Sequence, residues 1–268
     1  CAGIDAYEDS CYRQKLACFR GRNNRLFFVQ HGGNYGQVRY TCLTELVEYH
    51  QHAFLTWGWK TQTGAAGNFV PVPYPQLTRI ANQAAREKAT TLLYVGTEMA
   101  LYGYRLDAHP TPLQLVAYRA AKKDFFAHLP PHLRSNVLYR PYFPVPSTLE
   151  DGSYIQRAFP EITLCTGPLM PHVLKTRLLI LDHHGTSLLE AMAANVPVLL
   201  FWNRDHWPLT PESEAMLDQL RSVGIFHETP VECAEKAAEI WDHVVPWWQE
   251  KSRQDARRAF CAQFARID

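Results

Sequence analysis

The sequence predicts an α/β fold, with helices packed on parallel sheets in one complete doubly wound domain and part of another. Three observations carry this. Short apolar runs alternate with stretches of helical period, which is the pattern of successive βαβ units. Two of the runs lead directly into glycine-bearing turns, His31-Gly32-Gly33 and His184-Gly185-Thr186. Between the halves, Val70-Pro71-Val72-Pro73-Tyr74-Pro75 places three prolines at alternate positions; this forbids a helix and favours an extended crossing.

Taken in order, Leu26 to Gln30 is a strand, Leu43 to Gln51 a short helix, and Ala53 to Thr56 a strand ending at Trp57-Gly58-Trp59. The proline-rich crossing follows and marks the domain junction. Beyond it the alternation is regular. Strands are expected at Thr91–Val95, Val137–Tyr139, Ile162–Leu164, Leu178–Leu181, Val196–Phe201 and Ile225–Phe226. Helices are expected at Pro112–Leu129, Leu149–Phe159, Ser187–Ala194 and Pro211–Val223, with closing helices at Val231–Val244 and Pro246–Ala265. The domains expected are therefore 1–75, the remainder of a first α/β domain; 76–245, a Rossmann-like domain; and 246–268, a closing helix. The chain starts at Cys1 without an initiator Met, so a preceding segment is expected in the full-length protein.

A chain of 268 residues buries a sizeable core without metals or disulfides. A formal charge of +1 gives no global electrostatic case for nucleic acid. The seven cysteines are scattered, with no C-x-x-C pair. Neither a disulfide framework nor a zinc ribbon is built that way, and free thiols in a reducing cytosol are expected. No apolar run is long enough to span a bilayer. At most a peripheral association with the inner face of a membrane is expected.

In such sheets ligands bind beyond the carboxyl ends of the strands, so the loops after strands are where chemistry is sought. The best-marked is Asp182-His183-His184-Gly185-Thr186-Ser187, an apolar strand running through a glycine into a helix start. Thr186 or Ser187 can cap the helix, with Glu190 close behind. The unpaired amides and positive dipole end of a helix start receive phosphate, and Gly185 removes the side chain that would block approach. An ordinary helix cap explains Thr186, Ser187 and Glu190, but not two histidines and an aspartate at a strand end. Asp182-His183-His184 also matches the triplet of DHH phosphoesterases. Their further metal-binding aspartates and histidines have no counterpart here, so no metal and no other cofactor is expected.

The second constellation is His31-Gly32-Gly33-Asn34-Tyr35-Gly36, whose glycines let backbone amides face a ligand. Lipases use a similar turn as an oxyanion hole but also need a G-x-S-x-G elbow, which is absent. His31 reads equally as a general base or a packed histidine. Arg140, at another strand end, suits a phosphate or sugar carboxylate, or a structural ion pair. Gly96-Thr97-Glu98 is a further loop at the same sheet edge, without a motif of its own. Trp59 and Trp207 fall in loops, where they could stack on a sugar or base.

Three stretches resemble a family of transferases encoded in bacterial surface-polysaccharide (lipopolysaccharide or capsule) loci. They are His31 to Gly36, Leu55 to Trp59, and Asp182 to Trp202 with its continuation through Val223 to His227 and Ile240 to Trp248. That resemblance implies a GT-B glycosyltransferase: two Rossmann-like domains with a cleft between them, the carboxyl-terminal one holding a nucleotide-sugar donor. On this reading His31, Asp182 and His183 are catalytic candidates. Gly32, Gly33, Tyr35, Arg140, His184, Gly185, Thr186, Ser187 and Glu190 are donor-binding candidates. The implied partners are a nucleotide-sugar, with a CMP-linked acidic sugar such as a nonulosonic acid or Kdo favoured, and a glycan or lipid-linked acceptor. A sugar-nucleotide epimerase or hydrolase on the same fold, and a non-catalytic nucleotide-binding domain, are the alternatives.

Overall fold

A computed structural model describes residues 9–21, 24–41, 44–83, 90–98, 111–141 and 149–268. Cys1, Cys42, Leu43, Lys88 and Tyr142 lie outside the described residues.

The chain opens with α1 (Ser10–Gly21), β1 (Phe27–Val29), a π-helical turn (Glu45–Tyr49), β2 (Ala53–Thr56), β3 (Phe69–Pro71) and α2 (Pro75–Asn82). Its three strands form one parallel sheet in the order β1-β2-β3. The proline crossing is thus extended, and its first residues are the edge strand of this sheet. An edge tolerates Pro71 because one side of the strand needs no ladder donor. Beyond that crossing, Pro75 opens α2, which packs on a helix of the second sheet.

The second part runs β4 (Leu92–Val95), α3 (Leu115–His128), α4 (Pro131–Arg134), β5 (Val137–Arg140), α5 (Asp151–Ala158), β6 (Thr163–Leu164), α6 (Leu169–Lys175), β7 (Leu178–Leu181), α7 (Thr186–Ala193), β8 (Val198–Phe201), α8 (Pro211–Ser222), β9 (Phe226–His227), α9 (Pro230–Ile240), α10 (Val244–Trp248) and α11 (Lys251–Phe264). Its six strands are all parallel, in the order β6-β5-β4-β7-β8-β9. Counted within this sheet, that is the order 3-2-1-4-5-6 of a Rossmann sheet. Every residue of β4, β7 and β8 is buried, which is why these strands read as continuous apolar runs. Each such Leu or Val contributes roughly 1.5–3 kcal/mol of burial.

The expected helices differ in places: the helix read at Leu43–Gln51 is the π-helical turn Glu45–Tyr49. The stretch Pro246–Ala265 is not one helix: it breaks at Gln249–Glu250 into α10 and α11. α6 was not anticipated, because Pro168 and Pro171 flank or enter it; Pro171 sits in its first turn, where a missing N–H costs nothing.

The two sheets are tied together at several places. α11 packs on α7 and α8, and beyond its end Arg266 N–H donates to the Trp57 carbonyl at 2.8 Å. The loop after β1 is stitched to the segment before α8: Val38 and Leu209 form an antiparallel bridge, Arg39 N–H donates to Pro208, and Thr210 N–H donates to Gln37.

Candidate functional site

In a sheet of this order the chain reverses direction between its first and fourth strands, here β4 and β7, and a crevice opens beyond their carboxyl ends. Asp182, the residue after β7, spans that reversal. Its Oδ1 accepts Thr97 N–H, one loop residue beyond β4, at 2.7 Å, and its Oδ2 accepts the Tyr94 hydroxyl at 3.1 Å. Lys122 Nζ, on α3, lies 3.8 Å from the same carboxylate and pairs with Asp151 of α5. Lys122 also donates to the Thr97 carbonyl, Tyr118 donates to the Asp182 carbonyl, and Glu98 accepts Asp151 N–H at 3.0 Å. Lys122, Asp151 and Asp182 are all at most 1% exposed, so burial works against the ammonium. The two carboxylates outweigh it and hold the Lys122 pKa above its ordinary value. This cluster, with Thr97, Tyr94, Tyr118, Lys122 and Asp151, was not read from the sequence apart from the weak Gly96-Thr97-Glu98 loop.

Asp182 is therefore a buried organiser, without the exposure a nucleophile needs. What it organises includes His183, whose Nδ1 lies 3.2 Å from Oδ1. The ring folds over Gly185, where any Cβ would come within 2.8 Å of Cδ2 and 3.1 Å of Nε2. A side chain there would have to displace the His183 imidazole. His184 turns the other way and is buried, its ring edge-on to Trp207 at 4.6 Å. It packs in the core against Trp207, on the opposite side from His183. The divergence follows from adjacent side chains pointing to opposite faces. No group of His, Cys, Asp and Glu placed to hold a metal ion occurs among the described residues.

Thr186 does not cap its helix. Gly185 is the N-cap, with no side-chain cap, and Thr186 and Ser187 are the first two helical residues. Glu190 then falls in the second turn, outside a capping box. Burial raises its pKa to about 7. The Thr186 hydroxyl instead accepts Gly33 N–H at 2.8 Å across the cleft. A Cβ on Gly33 would stand 2.5 Å from both the Gly185 carbonyl carbon and the Thr186 nitrogen. One on Gly32 would meet Thr186 Oγ1 at 3.1 Å. These glycines let one backbone turn seat against another, a role different from the open amide cradle expected. The half-exposed Ser187 flanks this contact, on the first turn of α7.

His31 is exposed at the head of the same turn. Its Nδ1 lies 2.8 Å from the Tyr35 hydroxyl, and that hydroxyl donates to Glu48 Oε1 at 2.9 Å. Tyr35 is buried. Glu48, on the π-helical turn, is wholly buried, and desolvation raises its pKa to about 8. No sequence signal singled it out. Gly36, with φ of +73°, lets the loop turn back under Trp59, whose ring a Cβ would strike at 2.6 Å.

Arg140 ends β5, two strands from β7. Its guanidinium donates to the Cys165 carbonyl at 3.2 Å, toward the β6 edge, so it is not brought to the His31–Thr186 contact. Trp59 and Trp207 are buried, their indole N–H groups donating to Gln30 and the Tyr118 hydroxyl. Neither offers a face for stacking. A cavity of about 620 Å³ opens beyond β7, β8 and β9, lined by Tyr118, Lys122, Asp182, Asn203, Arg204 and Glu228 among others. This is within the size range of small-molecule sites.

Two parallel α/β sheets, a Rossmann-ordered one whose reversal point is organised by Asp182 and a smaller one that seats a histidine turn on α7, make up a two-lobed α/β architecture. The chain belongs to the LIC12162 family of transferases, whose model matches residues 2–268. No protein of curated function matches it in sequence. Among solved structures it is similar to an α,α-trehalose 6-phosphate synthase from Burkholderia multivorans, with 12% identity, 93% of this chain and 65% of that chain covered, and a TM-score of 0.49. It is also similar to the wall teichoic acid polymerase TagF (10%, 92% and 64%, 0.47) and to MurG from Acinetobacter baumannii (11%, 92% and 65%, 0.42). The chain thus spans 65% of the length of the first of these. Likeness at this level fixes neither substrate nor reaction.

Proposed function

We propose that this transferase is a GT-B-type glycosyltransferase that moves a sugar from a nucleotide-activated donor to a hydroxyl of a bacterial surface-glycan acceptor. The observation that carries the reading is the seating of the His31-Gly32-Gly33 turn on the first turn of α7. It brings an exposed imidazole on one lobe beside a helix start, not capped by a side chain, on the other. The helix start is suited to the leaving phosphate, which its amides and dipole would stabilise as charge develops. Gly33 lies against the Thr186 nitrogen, so the phosphate would approach from the Ser187 side. His183, held by Asp182, stands over the same turn and would contact that phosphate. The cavity beyond β7 to β9 would take the nucleoside. His31 would accept the acceptor hydroxyl's proton through its other ring nitrogen, Nε2.

Within this reading the favoured donor is a CMP-linked acidic sugar. The resemblance to transferases of surface-polysaccharide loci supports that choice. The test is a thermal-shift screen of CMP, UDP, GDP and their sugars, followed by transfer assays on the best binder. Stabilisation by CMP and its sugars, with transfer lost in His31→Ala while nucleotide binding stays, is the expected result. Turnover of donor that needs no acceptor and survives His31→Ala would favour a sugar-nucleotide hydrolase or epimerase.

A further inference from the structure

The bonds around Asp182 decide which nitrogen of His183 carries a hydrogen. Oδ1 accepts Thr97 N–H at 2.7 Å, Oδ2 accepts the Tyr94 hydroxyl at 3.1 Å, and the Lys122 ammonium stands 3.8 Å from Oδ2. Donors thus arrive on both oxygens with a buried cation beside them, and a carboxylate so placed only accepts. His183 Nδ1, 3.2 Å from Oδ1, is therefore the nitrogen that holds the hydrogen of the neutral ring. The carboxylate is not free to turn away. Thr97 N–H is bound to it, and the Thr97 carbonyl is held in turn by Lys122. The lone pair of the neutral ring then falls on Nε2, which makes no hydrogen bond among the described residues. Nε2 lies on the ring edge that covers Gly185, the N-cap of α7, at 3.1 Å from where a Cβ would stand.

We infer that Asp182 is a positioning residue that fixes His183 with its hydrogen on Nδ1, so that an anion at the start of α7 is bound through Nε2 with uptake of a proton. This rests on the reading of that helix start as the site of the donor phosphate. A phosphate oxygen presents lone pairs, and so does Nε2 of the neutral ring; the two repel. Nδ1 cannot give up its hydrogen without setting its own lone pair against Asp182 Oδ1. The contact is therefore made by the imidazolium, which donates to Asp182 through Nδ1–H and to the phosphate through Nε2–H. The proton is taken from solvent as the phosphate binds and is returned when it leaves, so the ring ends each cycle as it began. The titratable groups that bear on the ring are Asp182 after β7, Tyr94 of β4, Tyr118 and Lys122 of α3, and Asp151 of α5. Glu190 lies one turn further along α7, and His31 heads the turn seated on the start of that helix. Lys122 opposes a second cation, but Asp151 pairs with it, whereas Asp182 touches the ring directly.

Nitrogen NMR on histidine-labelled protein at about pH 8, where an ordinary imidazole is neutral, tests both parts. His183→Gln assigns the signals, and amide spectra confirm that each variant is folded. Without ligand, wild-type His183 should show the Nδ1–H form. Asp182→Asn should show it too, because Thr97 N–H keeps the amide oxygen toward the ring. Asp182→Ala should give the mixed forms of an exposed histidine. CMP, UDP, GDP and inorganic phosphate are then added in turn, with cytidine as the control that lacks a phosphate. The tightest-binding anion should place hydrogens on both nitrogens of wild-type His183, and cytidine should leave the ring neutral. In Asp182→Asn the ring should stay neutral and that anion should bind roughly tenfold more weakly. A wild-type ring with its hydrogen on Nε2, or one that stays neutral with every anion, overturns the inference. A ring that gains its proton with inorganic phosphate, in a protein that binds none of the three nucleotides, would keep the inference and sink the donor reading alone.

Discussion

Gly33 donates its backbone N–H to the hydroxyl of Thr186 at 2.8 Å, joining positions 153 residues apart. The bond links the two sheets at the point where their glycine turns meet. Adding one methyl at Gly33 puts a carbon 2.5 Å from two backbone atoms, neither of which can rotate away. Gly33→Ala should therefore lose roughly 1–3 kcal/mol of unfolding stability by overpacking. Thr186→Val, which keeps the shape and removes the acceptor, should lose about 1 kcal/mol. Urea denaturation of both variants checks the order. A Gly33→Ala protein as stable as wild type would mean that the turns part freely.

Ser187→Asp separates a donor-phosphate site from a bare helix start. The carboxylate would occupy the phosphate position while satisfying the same N–H groups and the helix dipole. Nucleotide affinity should fall by about one to two decades, corresponding to a charge-assisted contact of roughly 1.5–3 kcal/mol, with the melting temperature little changed. Calorimetric titration of the best-binding nucleotide gives the answer; equal affinities end the donor-site reading.

Lys122→Met leaves Asp151 and Asp182 facing each other's charge in the core. Removing one partner from a buried ionic cluster costs about 3–5 kcal/mol, so this variant should be among the least stable single substitutions in the second lobe. Adding Asp151→Asn to it should recover part of the loss, because the repulsion between the two buried carboxylates is then gone; in the single variant Asp151 keeps its ion pair with Arg119. Equilibrium unfolding of the single and double variants measures both effects.

Glu48 and Glu190 should make stability fall as pH rises from about 5 to about 8, while His206 and His227, whose pKa values burial lowers, act in the opposite sense at the acid end. Glu48 and Glu190 have pKa values raised by burial, to about 8 and about 7. Over this window the folded state holds protons that the unfolded chain has released, so unfolding is increasingly favoured with pH until the folded groups ionise. Each group contributes at most about 1.4 kcal/mol per pH unit. Glu48→Gln should flatten the slope between pH 7 and 8, where Glu190 is already ionised. Thermal melts across pH 5 to 9 read it directly; an unchanged slope in Glu48→Gln would assign the effect elsewhere.

Transfer activity should persist in EDTA, and purified protein should hold no stoichiometric zinc or manganese. His183 and His184 diverge, one toward Asp182 and the other toward Trp207, so the triplet does not converge on one ion. Metal analysis of wild type and His183→Ala decides it: stoichiometric metal lost with the imidazole would overturn the expectation.

The second sheet was legible in the sequence where its strands are apolar throughout. Leu178–Leu181 falls where expected to the residue, as does Ala53–Thr56 in the first sheet. The edge strand β3 was concealed by the prolines in and after it, and α6 by Pro171. The turns were legible as turns, but their purposes were not. Thr186 resembles a cap in local sequence. Its hydroxyl is used by a glycine from another lobe, and nothing within its own segment records that. Glu48 belongs to a stretch with no recognisable motif, and only folding places it under Tyr35. Local patterns specify backbone direction and periodicity; they do not specify which distant group completes a hydrogen bond.

The bridge between Val38 and Leu209, with its flanking backbone bonds to Pro208 and Thr210, has a consequence for how the molecule matures. Contacts so distant along the chain form late, after local helices and neighbouring strands, because loop closure must be met before they are rewarded. During synthesis the loop bearing His31 therefore emerges long before its counterpart on the second lobe exists. Until α7 and the Leu209 segment fold, that loop has no surface to dock on. The contact between the two glycine turns can form only once both sheets are in place.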